Sequence, residues 1–166
     1  MLPIKRILIA VDLADTQESV PRAALNTAHA LRDHGGSEVA RRLIAEVVPL
    51  AQSLDASIEI VYVRETPTHD VAGGRSGIDE VDDWIEQQLG KLAETVIVAG
   101  ISCITTSLQG SVHRELVAHV TKTSADLVVL GSHGRWHFLE SCAERVLLKA
   151  HRRILVVPIL QIEHGK

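Results

Sequence analysis

The residues Leu127–Leu130 (Leu-Val-Val-Leu) form an unbroken apolar run. A strand with one face in water alternates apolar and polar residues; a strand covered on both faces does not. Gly131-Ser132-His133-Gly134 follows, and two glycines so close break the run and suit a tight turn. Ser141 to Ala150 has helical spacing, with Cys142, Val146 and Ala150 on one face. Ile154–Val157 (Ile-Leu-Val-Val) reads as a second buried strand, stopped by Pro158. Strand, glycine loop, helix and strand make a β-α-β unit. Its loop lies at the carboxyl end of a strand, where open α/β sheets bind ligands.

The rest of the chain repeats this alternation. Ile4–Val11 is a β-branched run ending at Asp12. Two helical stretches follow, where one crossover needs a single helix. Glu18–Arg32 ends at Asp33-His34-Gly35-Gly36. Glu38–Leu54 follows, with Ser37 placed as its N-cap, Leu43, Val47, Leu50 and Leu54 inward, and Pro49 placed to kink it. Ser57–Val63 is the second strand and 64–77 a loop rich in Thr, Pro, Gly and His. Within that loop Gly73-Gly74-Arg75-Ser76-Gly77 reads as a linker, and no Walker lysine motif follows it. Ile78–Ala99 is a long helix, Ser102–Leu108 the third strand, and Ser111 the N-cap of Val112–Thr123. The order predicts an α/β fold: a five-stranded parallel open sheet with helices on both faces. With no internal repeat and no second core, residues 1–166 read as one domain, with an extra helical insertion within 14–36.

Composition narrows the partners. Hydrophobic residues make up 46% of the chain, yet aromatics only 2%. Single-stranded nucleic-acid binders stack bases on aromatic side chains, and a net charge of −4 offers no basic excess to displace phosphate counterions. A nucleic-acid partner is not expected. Two cysteines without a CxxC make no disulfide framework and suit a reducing cytosol. No apolar run reaches membrane-spanning length, and the start Met-Leu-Pro-Ile-Lys-Arg leads directly into a strand. A cytoplasmic protein without membrane insertion or a secretory leader is therefore expected.

Catalytic constellations are sparse. Gly131-Ser132-His133-Gly134 lacks the G-x-S-x-G spacing of a nucleophile elbow. Cys142 falls on the apolar face of a helix and reads as packing, and Cys103 lies within a strand. His133 and His137 have chelating spacing only on a helix, which Gly134 disfavours, so no metal site is expected. His113 and His119 are six apart and do not share a helix face, and most of the nine histidines read as surface residues. Asp79, Glu80, Asp82 and Asp83 suit the positive end of a helix dipole. Arg145, Lys149, Arg152 and Arg153 make a small basic patch that reads as a solvated face. Asp12 stays open between a turn or capping carboxylate and a ligand group.

Taken together, these segments resemble the universal stress protein family. Ile7-Leu8-Ile9-Ala10-Val11-Asp12-Leu13 is similar to its first strand and acidic residue. Asp126–Leu130 with Gly131-Ser132-His133-Gly134 is similar to its fourth strand and glycine loop. Ser141–Leu147 looks like the start of its last helix, and Ile154–Pro158 like its last strand. The resemblance implies a fold of the adenine nucleotide alpha hydrolase kind and a homodimer through Ile154–Val157. In ATP-binding members the motif is G-x2-G-x9-G-[S/T], whose glycines let backbone amides approach the phosphates. Gly131 and Gly134 keep its first half. Nine residues further stands Glu144-Arg145; aligned by the last helix, the pair becomes Glu140-Ser141, and the loop is about four residues short.

A carboxylate at Glu140 would face the phosphates. Unit charges about 4 Å apart repel by ~1 kcal/mol in water and several times that near a protein surface. Trp136 and Phe138 add bulk to the shortened loop. The resemblance is thus closer to the non-ATP-binding type. It implies a non-enzymatic stress-response regulator acting through dimerisation and an unknown protein partner. The alternative is an ATP or other nucleotide-binding switch using the Gly131–Ser141 loop. The equivalent site positions are Asp12, Gly131, Gly134 and Ser141, with Val63 as an adenine wall. Slow nucleotide hydrolysis is the enzymatic alternative, for which the sequence supplies neither a placed base nor a metal set.

Overall fold

A computed structural model of the chain describes residues 2–13, 36–64, 74–132, 145–146 and 148–159. The described elements are β1 (Arg6–Val11), α1 (Gly36–Leu54), β2 (Ser57–Arg64), α2 (Gly74–Val98), β3 (Cys103–Gln109), α3 (Val112–Thr123), β4 (Leu127–Ser132) and β5 (Arg153–Pro158). Residues 145–146 and 148–150 are helical and precede β5. The expected helix Glu18–Arg32, the insertion within 14–36 apart from Gly36, and the loop 133–144 with Gly134, Ser141 and Cys142 lie outside the described residues.

The five strands form one parallel sheet in the order β3-β2-β1-β4-β5. The expected α/β fold is therefore the observed one. The chain winds outward from β1 through β2 to β3, then returns to the other side of β1 for β4 and β5. The order reverses between β1 and β4, and such a reversal leaves a crevice beyond the carboxyl ends of those two strands.

Each sheet face has its own core. On one face, Leu43, Ile44 and Val47 of α1 and Ile85, Leu89 and Val96 of α2 pack on Ile7, Ile9, Ile58, Ile60 and Val129. On the other, Leu116 and Val120 of α3, with Val146 and Ala150, pack on Leu8, Val61, Val128 and Leu130. Alternate residues of β1, β2 and β4 serve opposite faces, which is why those runs show no polar alternation. Each fully buried Leu or Ile contributes roughly 1.5–3 kcal/mol.

Several sequence expectations need correction. Gly131 does not end its strand: it pairs with Val157, and β4 runs on to Ser132. The parallel ladder with β5 carries the glycine in extended form. Ser37 is not a cap, because α1 already begins at Gly36. Gly74 to Gly77 are not linker but the first turn of α2. Ser111 does hold the N-cap position of α3, but makes no side-chain cap bond. β5 is an edge strand and not fully buried; Leu155 and Val156 are each 37% exposed.

The amino end of the sheet is closed by its own polar groups. Asp126 Oδ2 accepts from the backbone N–H of both Lys5 and Arg6 at 2.9 Å. The Arg6 guanidinium donates to the carbonyl of Thr123, the last residue of α3. The turns into β2, β4 and β5 carry left-handed residues at Asp55, Ser124 and His151 (φ 50°, 54° and 50°).

Candidate functional site

Asp12 and Val63 come together at the carboxyl end of the sheet. β1 pairs with β2 up to Val11 opposite Tyr62, so the next residues, Asp12 and Val63, lie side by side. Val63 is half-buried and packs with the α3-side core. β1 pairs with β4 up to Ala10 opposite Leu130, which brings the last residues of β4, Gly131 and Ser132, to the same end as Asp12. A carboxylate and an aliphatic wall thus stand beside the crevice where the strand order reverses. A carboxylate there can accept hydrogen bonds from hydroxyl or amino groups, and the wall can cover a flat apolar ring.

Gly131 has a more specific position than the sequence shows. A Cβ built on it would point at Leu43 Cδ2 (3.4 Å) and Ile159 Cγ1 (3.6 Å), on the α1 side of the sheet. That face, where a Cβ would make only ordinary contacts, is opposite the α3 face to which Val63 belongs. Gly134 and Ser141, the other expected phosphate-side positions, lie outside the described residues.

Two polar clusters on β2 were not legible as such. At its carboxyl end, Arg64 was expected in a loop but is the last residue of the strand. Its Nη1 donates to Asp82 Oδ1 of α2 at 2.7 Å and its Nη2 to Gln109 Oε1 of β3 at 3.2 Å. Of the acidic run at the start of α2, Asp82 therefore has a specific partner. The signal was present: a strand-terminal Arg eighteen residues before an Asp in the next helix's third turn.

The second cluster lies deeper. Glu59 is 2% exposed, inside β2. Its Oε1 accepts from Thr106 Oγ1 at 2.8 Å and meets His119 Nε2 at 2.7 Å. Its Oε2 is buried and finds no hydrogen-bond partner among the described residues. His119 is thus not a surface histidine; it joins α3 to a buried carboxylate, because a buried carboxylate is costly without a donor. The single Glu in Ile-Glu-Ile-Val was the sequence signal. The cluster sits toward the amino half of β2, away from the crevice.

No group of three or more metal-ligating side chains occurs among the described residues. Cys103 is a free, half-buried thiol, and burial pushes its pKa up to about 11. A thiol so protonated at neutral pH is a poor nucleophile. No described helix is long and apolar enough to cross a membrane.

The sequence model of the universal stress protein family matches residues 33–158. The chain belongs to the universal stress protein family. A universal stress protein of Methanocaldococcus jannaschii is 26% identical over 130 residues, covering 74% of this chain and 76% of its own. Among solved structures, the fold matches a universal stress protein family protein from Arabidopsis thaliana with AMP bound. That match has TM-score 0.58 and 14% identity, over 98% of this chain and 96% of the other. It also matches the universal stress protein from Archaeoglobus fulgidus in complex with dAMP, with TM-score 0.55 and 16% identity, over 94% and 99% of the two chains.

Proposed function

We propose that this universal stress protein binds an adenine nucleoside monophosphate at the carboxyl end of β1, β2 and β4. One observation carries the reading: Asp12 and Val63 stand side by side next to the reversal in strand order. In this arrangement Val63 covers the adenine ring and the Asp12 carboxylate accepts from ribose hydroxyls or the adenine amino group. Asp12 and Val63 are suited in chemistry to the base and ribose. The phosphate side falls to the loop after β4, outside the described residues. There the sequence places Glu140 where ATP-binding relatives carry glycine, and its charge disfavours a triphosphate more than a monophosphate. Two similarly folded proteins hold AMP and dAMP, which supports an adenine nucleotide as the ligand.

Equilibrium dialysis with labelled AMP and ATP tests this. AMP binds, ATP binds more weakly, and Asp12→Ala lowers AMP affinity about tenfold, the equivalent of ~1.4 kcal/mol. No binding of either nucleotide at millimolar concentration sinks the reading.

A second observation favours a complementary output. Among the described residues β5 ends the sheet and exposes Leu155 and Val156, an edge and apolar side chains suited to pairing with a second copy across an isologous contact. On this reading the protein works without turnover in the cytoplasm, as a dimer that presents its nucleotide state to a protein partner. Val156→Lys places a charge on the edge and is expected to give a monomer in analytical ultracentrifugation. A variant sedimenting like the unmodified protein would remove β5 as the contact.

A further inference from the structure

The position of α3 brings one more residue to this crevice. α3 runs antiparallel to the strands, since it returns from the carboxyl end of β3 to the amino end of β4. Its last residue, Thr123, accepts from Arg6, which pairs with Ser57 at the start of β2. Partway along, His119 meets Glu59 at 2.7 Å. These two contacts fix the axial alignment of α3 against β2.

His113 lies six residues before His119. At 1.5 Å per helical residue that is about 9 Å toward the carboxyl end, or roughly three residues of strand. Counting from Glu59 reaches Tyr62. Counting from Thr123 and Ser57 gives about 15 Å, or roughly four to five residues of strand, between Val61 and Tyr62. Helical side chains lean toward the helix N-terminus, which advances the imidazole further, toward Val63.

The rotation agrees. His113 and Val120 are seven residues apart and differ by roughly 20° around the helix axis. Val120 is fully buried against the α3-side core, which also includes Val63 and Leu108 as packed margins. His113 therefore faces the sheet as Val120 does, two turns nearer the strand ends. It is half-buried where Val120 is fully buried. The two histidines of α3 thus differ in kind: His119 serves the buried Glu59, and His113 stands over the ends of β2 and β3.

We propose that His113 is a base-contacting residue of the nucleotide site, packing its imidazole against the purine on the side away from β4. This rests on the nucleotide reading above. The strand order supports the assignment of moiety: β2 and β3 lie on one side of β1, while the loop after β4 lies on the other. His113 touches the base and leaves the phosphates to the far side of the crevice.

The test is calorimetric binding of adenosine, AMP and ATP to the full chain and to His113→Ala and His113→Phe. Circular dichroism and thermal melting are measured on each. His113→Ala is expected to weaken all ligands that the unmodified protein binds by the same factor. That factor is about fivefold or more, as loss of an aromatic–base contact implies. His113→Phe, which keeps a flat ring, restores most of the loss. Loss that grows with phosphate number would overturn the base assignment, as would unchanged affinity in a folded His113→Ala. An unfolded His113→Ala with full-affinity His113→Phe supports ring contact, and a folded His113→Phe as weak as a folded alanine variant refutes it. If the unmodified protein binds no nucleotide, the parent reading fails and takes this one with it, whereas binding that ignores His113 overturns this inference alone.

Discussion

The two ends of the sheet use the same residue types for opposite purposes. At the amino end, Asp126 accepts from two backbone N–H groups, and Lys5 donates to the carbonyls of Leu54 and Asp55 and pairs with Asp55 at 3.1 Å. Strand starts and helix ends are laced together there. At the carboxyl end, Asp12 stands beside the crevice next to an aliphatic neighbour. The Arg64 clamp holds the end of β2 to α2 and β3 without crossing to the reversal between β1 and β4. An aspartate beside a parallel strand therefore has no fixed meaning; its place along the sheet decides which groups it can meet.

This contrast can be broken by experiment. The largest stability effect is expected from Asp126→Ala. It leaves the backbone donors of Lys5 and Arg6 without their acceptor, and a lost acceptor of this kind costs about 2 kcal/mol. The thermal midpoint falls, while AMP affinity stays within twofold, because the site is the length of β4, roughly 17–20 Å, away. Loss of binding in a folded Asp126→Ala protein would show that the ends are coupled. Asp12→Ala, by contrast, is expected to lower AMP affinity about tenfold.

Smaller effects separate two glycines near the carboxyl end. Gly110 has φ 142°, and a Cβ there would lie 2.8 Å from Glu115 Oε1. Gly110→Ala is expected to cost about 1–2 kcal/mol, most of it backbone strain, since the Glu115 side chain can swing aside. Gly131→Ala meets only ordinary contact with Leu43 and Ile159. It is expected to change stability by no more than about 0.5 kcal/mol and AMP affinity by less than twofold. Urea unfolding with a binding isotherm measures both. A large loss of affinity in Gly131→Ala would mean that this glycine's bare backbone serves the ligand, not the core.

The sheet was legible because its strands are buried on both faces. Leu127–Leu130, Ile7–Val11 and Ile58–Val61 carry continuous apolar or β-branched character, broken only by Glu59, and such runs leave few alternatives to a covered parallel sheet. The edges were less legible. Ile154–Val157 has the same composition as a central strand yet ends the sheet, since composition records apolarity and not the number of neighbours. Gly131 reads locally as a break because glycine often ends a strand; the ladder with Val157 overrides that local tendency. Of the candidate site, Asp12 was visible as the carboxylate after the first strand, and Val63 came from the family pattern. His113 was visible only as a histidine on a helix.

The sequence by itself determined the alternation of strands and helices, the parallel class of the sheet and the family. All three rest on local periodicity and short motifs, which a chain carries independently of its partners in space. Tertiary structure decided which residues share an end. That Asp12 lies beside Val63 follows from strand order and register. That His119 reaches Glu59 follows from how α3 is aligned along β2. Residues 12 and 63 are far apart along the chain, and only the parallel pairing of β1 with β2 brings them to one end of the sheet.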